Sequence, residues 1–354
     1  MKQKSVTLVQ VAAKAGVSVM TASRAISGEG YVSDDTRAKV QAAVAELGYA
    51  TNTLARMMKG GRTNVIGVVV NDLASVVVNA FVSALTEEVR KYQMDMFIYN
   101  SIDDLDQQAG RRHRDLLHGL WDGLIYVLPR MSDDYLATLE ASPSPIVLVN
   151  FCRRETSLPV VLGDNYNGAR DAVASLVGLG HQRIAFIRGT HFSGQSAERE
   201  RGYRQAMHDA GLAIDERWVM KGTFSELSGL EAGRALLALD QRPTAIFAAN
   251  DEMAIGCMNA LRAADVAVPG EISLVGFDDV QAASLVQPRL TTLRHPIAQM
   301  AQAAVQELMR RIQQQPGLRQ RIEFPSELVI RESAGAAPQV AAARVSRSRK
   351  TAGS

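Results

Sequence analysis

Between residues 64 and 277 the sequence alternates short apolar runs with amphipathic segments, and this alternation limits the possible folds more than any other feature. The apolar runs have the length of buried strands: NVIGVVV (64–70), MDMFIYN (94–100), DGLIYVL (122–128), PIVLVN (145–150), RIAFIR (183–188), TAIFAAN (244–250) and SLVGF (273–277). Amphipathic helices are predicted near 80–92, 165–179, 196–210, 228–239 and 252–264. Repeated βαβ units of this kind predict an α/β fold of doubly wound parallel sheets, with enough strands for two lobes.

Length and composition exclude several classes of protein. A chain of 354 residues is too long for one ordinary core, and 47% hydrophobic with 21% charged residues is typical of a globular protein. No apolar stretch approaches the roughly 20 residues needed to cross a bilayer, and the N-terminus lacks a secretory signal. The two cysteines, Cys152 and Cys257, lie far apart and are interpreted as reduced thiols. We therefore expect a cytoplasmic protein.

The first 50 residues predict three short helices with a tight turn between the first two. Thr7 and Gln10 fit a capping box at the start of the first helix, Gly16 ends it, and Ser18 caps the second. A third helix is expected from Ser33 to Gly48. Four small apolar side chains of the first helix and the turn are predicted to form the core of this head: Val9, Ala12, Ala13 and Val17. Helix, tight turn and helix form the pattern of a helix-turn-helix DNA reader.

Charge is unevenly distributed along the chain. Residues 1–62 hold nine Lys or Arg and four Asp or Glu, whereas residues 63–333 hold 26 basic and 33 acidic side chains. The last 21 residues, 334–354, carry four basic side chains and no acid, and they lack apolar periodicity, which predicts a disordered basic tail. A basic head on an acidic body is compatible with binding of phosphates, and equally with a solvated terminus.

Longer strings in the sequence carry a resemblance to a known family. The head contains TLVQVAAKAGVSVMTASRAISG and YVSDDTRAKVQAAVAELGY, and the segment after it contains NTLARMMKGG. The body contains GLGHQRIAFIRG, FAANDEMAIGCMNAL, ISLVGFDD and PRLTTLRHP. In this order, over more than nine tenths of the chain, these strings resemble the lactose repressor (LacI) family of bacterial transcription regulators. The resemblance implies operator DNA, a small-molecule effector and a second copy of the chain as partners, and no enzyme activity.

The resemblance also implies which residues bind DNA. Val19, Met20 and Arg24 align with the family's base-contacting residues. Asn52 aligns with a residue that contacts phosphate or the DNA backbone, in a hinge that is expected to fold only on DNA. Met58 occupies the position at which the family usually places a leucine wedge, and its apolar side chain suits insertion between base pairs. The complete set of predicted DNA-binding residues is Thr7, Ser18, Val19, Met20, Thr21, Ser23, Arg24, Ser33, Thr36, Tyr49, Asn52, Ala55 and Met58.

Polar residues follow several of the predicted strands, where ligands bind in doubly wound sheets. These residues are Asn71, Asp72, Asn150, Asn250, Asp251, Asp278 and Asp279. The family resemblance selects an effector site from this set and adds two members, giving Asn71, Asn150, Arg199, Phe224, Asn250 and Asp278. Donors and acceptors around an aromatic ring favour a sugar or sugar derivative, with a nucleobase or an acid as the alternative. His181 is interpreted as a structural residue.

These observations predict a division of the chain. Residues 1–50 form the helix-turn-helix domain, 51–62 the hinge, and 63–333 the effector-binding and dimerisation domain. Lobe 1 is expected to comprise about 63–162 and 295–325, and lobe 2 about 163–294 and 326–333. A periplasmic sugar-binding protein would need an export signal and no head. An enzyme would need a phosphate loop, metal-ligand spacing or a nucleophile motif, and the sequence contains none of them. The closest enzymatic interpretation pairs Asp278 with His295 as acid and base. No cofactor or metal is predicted.

Overall fold

The computed structural model describes residues 6–27, 30–49, 62–101, 120–152, 155–190, 193–316 and 320–338. Two compact units divide the chain, residues 1–63 and residues 64–354. Most of the predicted hinge, including Asn52, Ala55 and Met58, lies outside the described residues, as does the tail beyond residue 338. Among the described helices, none is long and apolar enough to cross a membrane.

The first unit contains three helices, α1 (Leu8–Ala15), α2 (Val19–Ser27) and α3 (Asp34–Leu47). The backbone N–H of Thr7 donates to Gln10 Oε1 at 2.8 Å, as the capping box predicts. Gly16 adopts a φ of 67° immediately after α1, a left-handed conformation that glycine reaches without strain. The helix-turn-helix prediction for this segment is confirmed.

The predicted core of the head is partly wrong. Val9 is 61% exposed, and Ala13 is exposed as well, whereas Val11 and Ala12 are buried. Val11 packs with one group of small buried side chains from all three helices: Ala12, Ala22, Ala25, Val40 and Ala43. Each residue advances a helix by about 100°, so choosing Val9 in place of Val11 rotates the predicted face toward solvent. The position of α3, which only the folded head defines, decides which face is inside.

The second unit contains two lobes, each built on a six-stranded sheet. Lobe 1 has the strand order β11-β5-β4-β3-β1-β2, and every pairing is parallel. Its strands are β1 (Val65–Val70), β2 (Asp95–Asn100), β3 (Gly123–Val127), β4 (Ile146–Val149), β5 (Val160–Gly163) and β11 (Arg321–Phe324). Described helices of this lobe are α4 (Val76–Arg90), α5 (Asp133–Glu140) and α10 (Ile297–Ile312).

Lobe 2 has the order β12-β10-β9-β8-β6-β7, in which β12 alone runs antiparallel to its neighbour. Its strands are β6 (Ile184–Arg188), β7 (Val219–Lys221), β8 (Ala245–Ala248), β9 (Ser273–Asp278), β10 (Thr291–Arg294) and β12 (Glu327–Val329). Its helices are α6 (Asn165–Gly178), α7 (Gly194–Asp209), α8 (Glu226–Leu237) and α9 (Asp251–Ala263). The chain passes between the lobes near residues 164, 296 and 325, so three connections join them.

Residues 334–338, predicted as the start of the disordered tail, are bonded to lobe 2. The Gly335 N–H donates to Ser273 Oγ at 3.0 Å, and the Ala337 N–H donates to the Leu179 carbonyl at 2.8 Å. His181 is buried, with Nε2 3.1 Å from the Gly335 carbonyl and 3.0 Å from Ser273 Oγ. The boundary predicted at residue 333 is therefore wrong, because buried polar groups at this end of the sheet require partners that residues 334–338 supply.

Candidate functional site

A cavity of about 260 Å³ lies between the lobes at the carboxyl ends of the central strands. Parallel strands direct the residues after them to the same edge of a sheet, and the facing edges of the two lobes enclose the space. All six residues predicted for the effector site line this cavity: Asn71, Asn150, Arg199, Phe224, Asn250 and Asp278. The structure thus brings together residues that are separated by up to 207 positions in the chain.

Arg199 lies at the centre of a buried polar network in the wall of the cavity. Its Nη2 donates to Asp278 Oδ1 at 3.0 Å, its Nε donates to Asn165 Oδ1 at 2.9 Å, and its Nη1 donates to the Ala249 carbonyl. The guanidinium carbon also lies 3.7 Å from the centre of the Phe277 ring. Three hydrogen bonds and one aromatic face hold the guanidinium in a single orientation, which is the preorganisation that ligand binding favours.

Asp278 is 7% exposed and ends strand β9. Burial raises the pKa of its carboxyl group, and the adjacent Arg199 guanidinium opposes that rise. Oδ1 accepts the bond from Arg199, so Oδ2 is the oxygen through which this carboxylate can accept from a ligand. Asp278 also has a φ of 112°, a backbone conformation that is strained for any residue with a side chain.

Positive φ values recur around the cavity. Asn150 has a φ of 59° and Phe224 a φ of 65°, and both residues line the space together with Asp278. Left-handed backbone is uncommon for residues other than glycine, and such residues cluster at ligand sites. Three of the six predicted effector residues therefore share a feature that no motif in the sequence reveals.

Asn150 connects the two lobes beneath the cavity. Its Oδ1 accepts from Asn165 Nδ2 at 3.3 Å, and its Nδ2 lies 3.0 Å from His295 Nε2. Burial and the nearby Arg199 lower the pKa of His295 to about 3, so its imidazole is neutral at pH 7. A neutral ring accepts from Asn150 at Nε2 and carries its proton at Nδ1, which has no partner among the described residues.

Phe224 presents an aromatic ring to the cavity. The ring packs so closely on the backbone of Gly189 that a β-carbon there would lie 2.0 Å from Phe224 Cζ. Asn250 Nδ2 donates to the Phe224 carbonyl at 3.0 Å, and Asn250 Oδ1 accepts from the Met253 N–H in the first turn of α9. Asn250 is therefore a helix cap and a cavity residue at once, so the structural and the functional interpretation of its position are compatible.

Sequence reasoning did not assign several residues to the effector site, and it named His295 only as a possible enzymatic partner of Asp278. Asn165 and His295 belong to the network around Arg199, and Thr190, Gln195, Arg130 and Glu252 line the cavity. Asp251 and Asp279, two of the strand-end candidates, are engaged elsewhere. Asp251 accepts from the Val280 N–H and the Thr292 hydroxyl inside lobe 2, and Asp279 pairs with Arg294 and Arg331. Asn165 and Glu252 could have been predicted from one shared feature, since each lies in the first turn of a helix that follows a strand.

In the head, α2 presents a mixed polar and apolar surface. Met20 is 65% exposed and Val19 is 42% exposed, although both are large apolar residues on a helix. Arg24 is exposed on the same helix, and the hydroxyls of Ser18 and Thr21 lie 2.8 Å apart at its N-terminal end. Other predicted DNA-binding residues of the head that the structure describes are Thr7, Ser23, Ser33, Thr36 and Tyr49.

Comparison with known proteins agrees with both units. Residues 7–52 match the model of bacterial regulatory proteins of the lacI family, and residues 173–334 match the periplasmic binding protein-like domain. The HTH-type transcriptional regulator DegA of Bacillus subtilis (strain 168) is 33% identical over 92% of this chain and 97% of its own length. The chain belongs to the LacI family. It is a DNA-binding transcription regulator, and its relatives are regulators and repressors, not enzymes.

Two solved structures of transcription regulators match nearly the whole chain. The lac repressor dimer bound to operator and the anti-inducer ONPF has a TM-score of 0.84 at 30% identity, and the match covers 94% of this chain and 100% of that one. The transcriptional regulator CelR in complex with cellobiose has a TM-score of 0.71 at 30% identity, covering 93% and 100%. The predicted family and fold class are confirmed.

Proposed function

We propose that this LacI-family protein is a cytoplasmic repressor whose affinity for operator DNA is set by a sugar or sugar derivative bound between its lobes. The observation that carries the proposal is the fixed arrangement of Arg199, Asp278 and Asn250 beside the ring of Phe224. Sugars need donors and acceptors for their hydroxyls and an apolar surface for their C–H faces, and this wall supplies both. The similar structures hold lac repressor with operator and CelR with cellobiose, which supports the same roles here.

Operator binding is assigned to the head, with α2 as the helix that enters the major groove. Exposed Val19 and Met20 suit contacts with thymine methyl groups, and Arg24 suits guanine, which accepts two bonds from one guanidinium. The remaining contacts to phosphate and backbone are assigned to Thr7, Ser18, Thr21, Ser23, Ser33, Thr36, Tyr49, Asn52 and Ala55, and the minor-groove wedge to Met58.

The effector acts by shifting the populations of two arrangements of the lobes. Residues from both lobes line the cavity, for example Asn71 and Asn150 from lobe 1 and Arg199 from lobe 2. A ligand that contacts both lobes binds one arrangement more tightly than the other, and it shifts the equilibrium by that difference in affinity. Coupling between two such sites is typically about 1–3 kcal/mol and is reciprocal.

The test combines two selections. Operator sequences are enriched from random duplex DNA, and effectors are found by the rise in Tm that a ligand of the native state causes in a sugar library. Operator affinity is then measured by fluorescence anisotropy with and without each stabilising sugar. We expect a change of about 5- to 150-fold. Sugars that raise the Tm without changing operator affinity would contradict the proposal.

A further inference from the structure

Two carboxylates line the cavity from opposite lobes, and the charge of one acts on the other. Asp72 follows β1 in lobe 1, and Glu252 lies in the first turn of α9 in lobe 2. Asp72 is exposed, and its Oδ1 accepts only the local Ala74 N–H at 2.8 Å among the bonds of the described residues, while Glu252 is half-buried. Among the bonds of the described residues, neither side chain is hydrogen-bonded to Arg199 or Asp278.

The described residues that line the cavity carry more carboxylates than guanidinium groups. Among the described lining residues, the guanidinium groups are those of Arg130 and Arg199, against the carboxylates of Asp72, Glu252 and Asp278. The Arg199 charge is already matched by Asp278, whose Oδ1 lies 3.0 Å from its Nη2. With Glu252 ionised, an arriving anion would therefore meet more negative than positive charge on the described lining residues, in a partly enclosed space where screening by solvent is reduced.

Two buried polar atoms in the same wall indicate which hydrogen-bonding groups the ligand supplies. Asn71 Oδ1 accepts the Arg130 N–H at 3.2 Å, and Asn71 Nδ2 is buried with no hydrogen-bond partner among the described residues. Thr190 Oγ1, across the cavity in lobe 2, is likewise buried and unpartnered in the part of the chain that the structure describes. Buried polar atoms are normally bonded, so a ligand oxygen beside each of these atoms would satisfy it.

The hydrogen-bond chemistry of the wall distinguishes between classes of ligand. An ionised carboxylate only accepts, so a ligand beside Asp72, and beside Glu252 above its pKa of about 7, has to supply O–H or N–H donors. Asn71 Nδ2 only donates, so the ligand has to supply acceptors as well. A hydroxyl group does both, whereas an ionised carboxylate or phosphate group only accepts and places like charges together.

We propose that the effector carries no negative charge, and that Asp72 and Glu252 select neutral or amino-substituted polyols over sugar acids and sugar phosphates. This inference rests on the proposed function and narrows the ligand class of the same cavity. Glu252 itself responds to the negative surroundings. Burial raises its pKa to about 7, and the charges of Asp278, Asp72 and Glu226 act in the same direction.

The first experiment measures the affinity of the full-length protein for matched sugars by calorimetry. The probes are each neutral sugar that raises the Tm, its uronic acid and its 6-phosphate. We expect the two anions to bind at least about tenfold more weakly than the neutral parent. A uronic acid or phosphate that binds more tightly and changes operator affinity would overturn this inference and leave the proposed function intact.

Variants connect the selectivity to the two carboxylates. Asp72→Asn combined with Glu252→Gln should reduce the ratio of neutral to anionic affinity by about tenfold, because the repulsive charges are gone. Glu231→Gln, which removes an exposed carboxylate on α8 outside the cavity, is the matched control and should leave the ratio unchanged. An unchanged ratio in the double variant would overturn the assignment.

A third measurement needs no ligand. Protein labelled with ¹³C at glutamate carboxyl carbons is titrated by NMR, and the Glu252 signal is identified by its absence in Glu252→Gln. We expect Glu252 to titrate near pH 7, and Asp72→Asn to lower that value because a facing negative charge has been removed. An unchanged Glu252 pKa in Asp72→Asn would overturn the inference, since the two carboxylates would then not interact across the cavity.

Discussion

Arg199 and Asp278 form a buried ion pair at 3.0 Å, and the pair serves both stability and ligand binding. Removing one partner of a buried pair leaves the other charge uncompensated, whereas an isosteric change retains part of the bond. Asp278→Asn retains an oxygen that can accept from Arg199, but the second acceptor for the ligand becomes a donor.

For Asp278→Asn we expect the operator affinity without effector to stay near that of the wild type, and the response to effector to be lost at wild-type effector concentrations. The free energy of unfolding should fall by about 1–3 kcal/mol, the loss typical of a bond between charged groups. Anisotropy titrations and urea unfolding measure these effects. Asp171→Asn, the same change at an exposed position of α6, is the control. A wild-type response in Asp278→Asn would remove this residue from the site.

His295 makes the stability of the fold depend on pH. The native protein holds a neutral imidazole with a pKa of about 3, whereas the unfolded chain takes up a proton below about pH 6.5. The unfolded state thus binds more protons between these values, and stability falls as the pH is lowered through this window, by up to about 1.4 kcal/mol per pH unit.

We expect His295→Gln, which retains an acceptor for Asn150, to have a shallower loss of stability between pH 6.5 and 4 than the wild type. The pKa of His181 is also lowered by burial, so part of the slope should remain. His208→Gln is the control, because that side chain is 84% exposed. Urea midpoints at each pH give the slopes, and equal slopes in wild type and His295→Gln would contradict the predicted ionisation of His295.

At the scale of elements, α2 has the surface expected of a recognition helix. Arg24→Ala should weaken specific operator binding by about 1–3 kcal/mol, as loss of a base contact does. Lys39→Ala, which removes a positive charge from α3 in the same unit, is the control and should reduce affinity less, through the general attraction of DNA alone. The comparison is made by anisotropy at constant salt, and equal losses in the two variants would exclude a base contact by Arg24.

Helices α8 and α9 approach each other through glycine. A β-carbon at Gly229 in α8 would lie 2.0 Å from the backbone oxygen of Met253 in α9, and a backbone atom cannot move aside as a flexible side chain can. Gly229→Ala should therefore destabilise the protein by about 1–3 kcal/mol. Gly178→Ala, on α6 with nothing within 4 Å of the added carbon, is the control and should be neutral or stabilising. Thermal melts that rank the two variants the other way would contradict this packing.

At the scale of the whole molecule, binding of two heads to one operator requires that the effector-binding unit dimerises. Exposed apolar side chains occur on both lobes, among them Leu73, Val76 and Phe97 in lobe 1 and Leu227 and Leu285 in lobe 2. A second copy related by two-fold symmetry could cover such residues and place two heads on a near-palindromic operator. Light scattering at micromolar concentration should give a dimer. A stable monomer or a tetramer would contradict this expectation.

Beyond what the resemblance to the LacI family supplied for Arg199 and Phe224, the sequence by itself determined the element order, the helix-turn-helix and the four strand-end residues of the cavity, Asn71, Asn150, Asn250 and Asp278. It did so because these features depend on local periodicity, on capping residues and on the rule that parallel strands end at one edge. Strand limits such as Val65–Val70 and the cap at Thr7 follow from neighbouring residues alone.

Only the tertiary structure decided which groups hold these residues in place. Asn165 and His295 contact the site across gaps of 15 and 145 positions from Asn150, and residues 334–338 bond to Ser273 and Leu179 of lobe 2. Val11 replaces Val9 in the core of the head because α3 covers that face. Such contacts join segments distant in the chain, and no local pattern encodes them because each depends on where the other elements pack.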